Sequence, residues 1–207
     1  MTREQTQLFE INNAVAGAVK GLLEDGDFFN KLVTSISEKI FEKLKTYVDE
    51  KVWEKTTVLN RKLDNLEQYT RRNNILIFGV REEDNEVLTD KVISLLNTRM
   101  GVKLDKGDID RLHRFGKFGD KPRPIIIKFK GYEPKQAIIR KRKLLKGTPV
   151  VIKEDLTKER LSLFRELLSK VGNKNCWSRD GKLYCKINNQ IRLITTDADL
   201  NDVPKFN

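Results

Sequence analysis

The side chains of this chain best suited to a chemical task are cations, and they bunch. Residues 109–124 read Ile109-Asp110-Arg111-Leu112-His113-Arg114-Phe115-Gly116-Lys117-Phe118-Gly119-Asp120-Lys121-Pro122-Arg123-Pro124. Guanidinium and ammonium groups alternate there with two phenyl rings and with turn-forming glycines. Cations for phosphates and rings for bases are what a single strand of nucleic acid needs; an ordinary solvated hairpin loop reads the same way. Lys128 and Lys130 follow directly, and Arg71 and Arg72 precede the segment. The last two suit phosphates, and equally suit the negative C-terminal end of a helix. Arg140 and Lys141 open the run Arg140-Lys141-Arg142-Lys143-Leu144-Leu145-Lys146. Its leucines are expected to face a sheet and its cations to face out, as on many solvated helices. It also passes for a nuclear-import signal, as such helices often do.

Covalent chemistry is not expected. His113 is the only histidine, so it builds no metal site with the distant Cys176 and Cys185, and it reads as a strand residue. There is no Gly-rich phosphate loop, no Cys/His ligand set and no Ser/His/Asp arrangement, and the carboxylates fall on helix faces or in acidic loops. The expectation is therefore no enzyme, no cofactor, no metal and no small-molecule substrate. The two cysteines could face each other across a hairpin. Because Met1-Thr2-Arg3-Glu4-Gln5 is not a signal peptide, they are expected as reduced thiols. No apolar run approaches the roughly 20 residues that span a bilayer, so no membrane partner is expected.

The formal charge of +11 is unevenly spread. Residues 1–70 hold 10 Lys+Arg against 12 Asp+Glu, which leaves 31 of the 41 basic and 18 of the 30 acidic residues to the remainder. The basic excess of 13 thus belongs wholly to the later two-thirds and points to a polyanion there. An acidic protein surface or an anionic membrane would satisfy the charge as well. Hydrophobic residues are 38% and charged residues 34%, a mixture that suits a long solvated helix joined to modest cores.

The elements that must position these cations can be read from periodicity. Asn74-Ile75-Leu76-Ile77-Phe78-Gly79-Val80, Pro122-Arg123-Pro124-Ile125-Ile126-Ile127-Lys128-Phe129 and Pro149-Val150-Val151-Ile152-Lys153-Glu154-Asp155-Leu156 are short β-branched runs bounded by turn formers. A helix is expected through Val87, Val92, Ile93, Leu95, Leu96 and Met100, stopped by Gly101. Another runs through Ile138, Ile139, Leu144 and Leu145, stopped by Gly147. A weaker strand lies at 108–115. The order is β-α-β-β-α-β, that of ferredoxin-like folds and RNA-recognition domains. Strand alternation puts Lys128 opposite Ile127 and Phe129 and beside Ile126 on the open face.

After 156 a helix capped by Asp155 or Thr157 presents Leu161, Phe164, Leu167, Leu168 and Val171. It ends at Gly172 and leads into a hairpin turning at Asp180-Gly181. Asn188-Asn189 then turns into a further strand, Ile191-Arg192-Leu193-Ile194. This α+β piece is too short to stand alone and should pack on the central domain.

Ahead of these lies helix. Leu8, Ile11, Val15, Ala18, Val19 and Leu22 recur at helical spacing. Residues 24–27 break the pattern, with Asp27 as candidate cap. From 28 to 70 there is no Gly or Pro, and a seam runs through Val33, Ile36, Ile40, Leu44, Val48, Val52, Thr56, Leu59, Leu63, Leu66 and Thr70. Its period is about 3.7, longer than a strict heptad. A coiled coil with a stutter or a nearly straight bundle fits, weakest near Thr56; a single helix folded on the core would overhang it at roughly 65 Å. Lys62-Leu63-Asp64-Asn65-Leu66-Glu67 resembles the Arg-apolar-x-x-apolar-Glu signature of three-stranded coils, with Lys in place of Arg.

Ile75-Leu76-Ile77-Phe78-Gly79-Val80 resembles the strand-one motif of RNA-recognition domains. Where such domains usually carry stacking aromatics, however, this chain has Leu76, Pro124 and Ile126. The chain from about 43 to 196 is similar to the nucleic-acid-binding protein of the first reading frame of LINE-type retrotransposons. The residues that carry this are Leu66-Glu67-Gln68-Tyr69-Thr70-Arg71-Arg72-Asn73-Asn74-Ile75, Arg111-Leu112-His113-Arg114, Pro122 to Phe129, Leu144-Leu145-Lys146-Gly147 and Glu154-Asp155-Leu156-Thr157. The resemblance implies homotrimers through the coil, coating of the element's own RNA, and nucleic-acid chaperone activity. It carries the RNA-contacting cations to Lys117, Lys121, Arg123 and Lys128, and implies a ribonucleoprotein in the cytoplasm, with the nucleus as a second compartment.

The resulting expectation is an α+β chain with a short N-terminal helix (1–27) and a long coiled-coil helix (28–72). A ferredoxin-like RNA-recognition-like domain (73–156) and a small α+β C-terminal domain (157–207) follow. Its partners are single-stranded RNA or DNA and copies of itself, a trimer ahead of a dimer. Arg71, Arg72, Arg111, Arg114, Lys117, Lys121, Arg123, Lys128, Lys130, Arg140 and Lys141 are the candidate contacts. The competing reading is a coiled-coil scaffold whose RNA-recognition-like domain binds protein.

Overall fold

The structure, a computed structural model, describes residues 3–204. The reading of Met1-Thr2 and the last three residues of the C-terminal domain lie outside them. The chain divides into two compact units, Met1–Asn60 and Arg61–Asn207. It is α+β: two N-terminal helices precede two antiparallel sheets. No helix among the described residues is long and apolar enough to cross a membrane.

The first unit is helical. Helix α1 spans Arg3–Glu24 and α2 spans Gly26–Thr70, its last turns belonging to the second unit. The break between them falls where Glu24-Asp25-Gly26-Asp27 suggested, but the cap differs. The Asp25 carboxylate, not that of Asp27, accepts the backbone N–H groups of Asp27 (3.0 Å) and Phe28 (3.4 Å). Asp27 lies inside the first turn and pairs with Lys31 at 2.8 Å. Every large apolar residue expected in the seam, from Val33 to Leu66, is exposed on the isolated chain.

The second unit holds both sheets. Strands β1 (Asn74–Phe78), β2 (Ile109–Arg114), β3 (Ile125–Phe129) and β4 (Val151–Glu154) form a sheet in the order β2-β3-β1-β4. Helices α3 (Leu88–Met100) and α4 (Tyr132–Lys141) connect the strands. The core is Ile75 and Ile77 of β1, Ile125, Ile127 and Phe129 of β3 and Ile152 of β4, closed by Val92, Leu96, Met100 and Ile138 from the helices. Each such side chain contributes about 1.5–3 kcal/mol by leaving water, so the register is held by which residues alternate inward. Gly79, at φ 78°, lets β1 leave the sheet; a Cβ there would overlap the Pro149 carbonyl.

The second helical pattern needs correcting. α4 ends at Lys141, and Arg142–Leu145 continues as a 3-10 turn. The tighter turn sends Leu145 into the core and leaves Leu144 exposed, so only one of the two leucines faces the sheet.

Helix α5 (Lys158–Val171) is capped by Thr157, whose hydroxyl accepts the Arg160 N–H. Strands β5 (Cys176–Arg179), β6 (Lys182–Ile187) and β7 (Gln190–Ile194) form a three-stranded sheet, and the short α6 (Asp197–Asn201) follows. Asp180-Gly181 and Asn188-Asn189 all have φ > 0, the geometry tight hairpins require. Cys176 and Cys185 are register partners and both are buried free thiols, their pKa values raised by burial. This part has its own core of Leu163, Leu167, Val171, Leu183, Ile187 and Ile194. It is joined to the four-stranded part through a polar hub rather than a shared apolar core.

That hub begins at the end of α2. The Gln68 amide donates to the Asp155 carbonyl (2.9 Å) and accepts the Thr157 N–H (3.0 Å), bridging the chain just after β4. Gly181, with φ 74°, has no Cβ to collide with that amide. Arg160 binds Asp64 (2.7 Å), the Asn65 amide oxygen (2.6 Å) and the Gly181 carbonyl (2.9 Å). Lys135, only 2% exposed, holds Glu154 (2.8 Å) and Asp180 (3.1 Å), and Tyr132 donates to Asp180 at 2.6 Å. Burial pulls the Lys135 ammonium down, but Glu154 and Asp180 outweigh it and leave its pKa above the ordinary value.

Candidate nucleic-acid interface

The pleat sorts the four-stranded sheet into two faces. α3 and α4 cover the face of Ile75, Ile77, Ile125 and Ile127. On the other face the register builds rows: Arg111, Lys128 and Asn74; then His113, Ile126, Leu76 and Lys153; then Phe78 and Val151. Lys128 is exposed while Ile127 is fully buried, the alternation expected for β3. Leu76, Phe78 and Ile126 are half-buried. The result is an apolar strip across the sheet with cations on both sides.

Lys153 and Phe78 were absent from the sequence-derived set. The Lys153 ammonium sits 5.4 Å from the centre of the Phe78 ring. Both could have been found from strict alternation: Phe78 follows Leu76 by two, and Lys153 lies between Ile152 and Glu154, which both point inward. Phe78 is thus the one phenyl ring among the described residues of this face, beside the imidazole of His113, and stacking groups are less scarce here than the residues at Leu76, Pro124 and Ile126 imply.

The predicted cations fall into two groups. Arg114 is the clearest departure. Its side chain is 4% exposed, its guanidinium pairs with Glu86, and it also donates to the carbonyls of Val80 (3.2 Å), Arg81 (3.0 Å) and Arg123 (2.7 Å). It staples the loop after β1 to the entry of β3 and has no donor left for a phosphate. The Arg114 hydrogen bond, helped by Lys91 and opposed by burial, holds the Glu86 carboxyl at about 2. Arg123 is likewise engaged: it grips Glu82 and lies 3.8 Å above the Phe118 ring. Its hydrogen bond to Glu82 raises its pKa and lowers that of Glu82. Arg71 binds Asp155 (2.9 Å) and Glu67 as part of the hub. Burial alone would lower its pKa; the two carboxylates raise it. Lys141 donates to the Gly101 carbonyl at the end of α3 (2.7 Å).

The remaining cations face solvent. Lys128 is shared with Asp110 at 3.1 Å, an exposed pair worth about 0–1 kcal/mol that a phosphate can displace. Arg72 lies over the Tyr69 ring at 3.8 Å and is exposed. Arg111, Lys117, Lys121, Lys130 and Arg140 are exposed as well. Phe118 is exposed and Phe115 is nearly half-buried, its N–H bonded to the Pro124 carbonyl at 2.9 Å. Arg111 and Lys128 come together on one row, with Lys153 across the apolar strip; Lys117 and Lys121 stay in the β2–β3 loop. Among the described residues no group of three His, Cys, Asp or Glu could hold a metal ion.

Compared with known proteins, the chain matches no family model and no curated sequence.

Proposed function

We propose that this chain is a homo-oligomeric, sequence-tolerant single-stranded RNA-binding protein that packages a retrotransposon transcript and acts on it as a nucleic-acid chaperone. What carries the reading is the open face of the four-stranded sheet. Arg111, Lys128 and Lys153 border an apolar strip of Leu76, Ile126 and Phe78, a surface that can take phosphates on its rims and bases at its centre. The strand order β2-β3-β1-β4 is the order a ferredoxin-like, RNA-recognition-like domain would have. The exposed α2 seam is the surface on which copies would associate, three ahead of two. Three weak basic sites tied by one coil gain avidity through effective concentration. Sites that release locally let strands exchange, with no reaction centre needed. The compartment that follows is a cytoplasmic ribonucleoprotein, with nuclear entry secondary.

A salt titration on two unrelated single strands of equal length tests this. Each cation that neutralises a phosphate contributes about −0.7 to the log–log slope. Arg111, Lys117, Lys121, Lys128 and Lys153 together give about −3.5. Lys153→Ala should flatten the slope by about 0.7, whereas Arg123→Ala, already held by Glu82, should leave it nearly unchanged. A flat slope or strong preference for one strand rejects electrostatic coating. The competing reading, a protein-binding scaffold, draws on Leu76 and Ile126 standing where rings would serve RNA better. It predicts no strand binding at all.

A further inference from the structure

The three-stranded sheet has an outer face that the cations singled out above do not include. Strand alternation sends Leu183, Cys185 and Ile187 into the core, and Trp177, Tyr184 and Leu193 outward in one cross-strand row. The Trp177 and Tyr184 rings stack at 6.0 Å between centroids and 14° between planes. Neither the indole N–H nor the phenol has a hydrogen-bond partner among the described residues. Neither ring belongs to the core packed by α5. Arg179 and Lys182 are register partners in the row on one side, and Lys186 sits opposite Ile191 on the other. Two residues of strand separate these rows by about 6.8 Å. Lys182 and Lys186 enter no ion pair among the described residues, unlike Arg71, Arg114, Arg123 and Lys128. Residues 176–194 hold four Lys+Arg against one Asp.

We infer that this outer face is a second seat for single-stranded nucleic acid, with bases stacking on the Trp177–Tyr184 pair and phosphates meeting Lys182 and Lys186. Nearly parallel, half-buried rings on the outer face, flanked by cations that enter no ion pair among the described residues, match the two demands of a single strand, π-faces for bases and charge for phosphates. An acidic protein segment would use the cations and leave the rings idle. The inference rests on the reading of the chain as a single-strand binder, but it concerns a different sheet and different residues.

The full chain carrying Trp53→Phe leaves Trp177 as its only indole. A labelled oligouridylate is titrated in, with anisotropy reporting total binding and indole emission reporting contact with Trp177. Emission should quench and saturate in step with anisotropy. In the chain that retains Trp53, Trp177→Leu should weaken binding about five- to hundredfold, the worth of one stacked base. Lys182→Gln with Lys186→Gln, both exposed and unable to disturb the core, should flatten the salt slope by about 1.4. If Trp177→Leu loses its fold by circular dichroism, the lysine pair and the quench still decide. Strand binding without quench, and without an effect of the lysine pair, overturns this site and leaves the proposed function standing. No strand binding at all overturns both. Equal quenching by poly-glutamate means an acidic-protein seat and also overturns it.

Discussion

Replacing Lys135 by Met removes the one cation in a buried cluster while keeping most of its volume. The ammonium is 2.8 Å from Glu154 and 3.1 Å from Asp180, and the side chains of Lys135 and Glu154 are 2% and 3% exposed. One Glu154 oxygen also accepts the Asp180 N–H at 2.8 Å, and the other has no partner. Without Lys135 a buried carboxylate is left uncompensated, which costs about 3–5 kcal/mol. Against a total of about 5–15 kcal/mol, that is a large share. For the second unit of roughly 150 residues it lowers Tm by about 6–20 °C. The assay is urea and thermal melting of Lys135→Met, Glu154→Leu and the double variant, followed by circular dichroism. The double variant should recover much of the loss, because it removes both charges. A loss below about 1 kcal/mol for Lys135→Met, or a double variant no better than the worse single, would refute the buried-cluster account.

Further outcomes are expected elsewhere. Residues 28–70 should self-associate and a fragment from Arg61 onward should not, by light scattering. The cut belongs at Arg61 because Asp64 and Gln68 are part of the second unit, and an equally oligomeric fragment would remove the α2 seam as the cause. Lys128→Ala should weaken strand binding with stability changed by less than about 1 kcal/mol, whereas Ile127→Ala, fully buried, should cost about 2–5 kcal/mol; denaturant melts that rank them the other way would reverse the face assignment. The Glu86 carboxyl is depressed from 4.5 to about 2, so the Arg114–Glu86 contribution is fully present above about pH 4.5 and is lost as pH falls toward 2. Melting across that window should show Glu86→Gln losing less stability on acidification than the native chain, and parallel curves would show that Glu86 is not depressed.

Much of this molecule is set by local pattern. The strands, the helix stops at Gly101 and Gly172, and the hairpin at Asp180-Gly181 follow from two-residue and helical periodicity and from φ > 0 at turns. The inward set Ile75, Ile77, Ile125 and Ile127 and the outward Lys128 follow from the same alternation. What periodicity does not carry is which carboxylate a cation meets. Arg111 and Arg114 sit three apart on one strand, so alternation sends them to opposite faces, but nothing local names a partner for Arg114. Only the fold of the 80–86 loop brings Glu86 onto Arg114 and takes up its guanidinium. In the same way Lys135 reads as one more solvated helix lysine until Glu154 and Asp180, 19 and 45 residues away, close around it. Charge is a property of the residue, but its availability depends on long-range partners, because a nearby opposite charge decides whether a cation still has anything to offer a ligand.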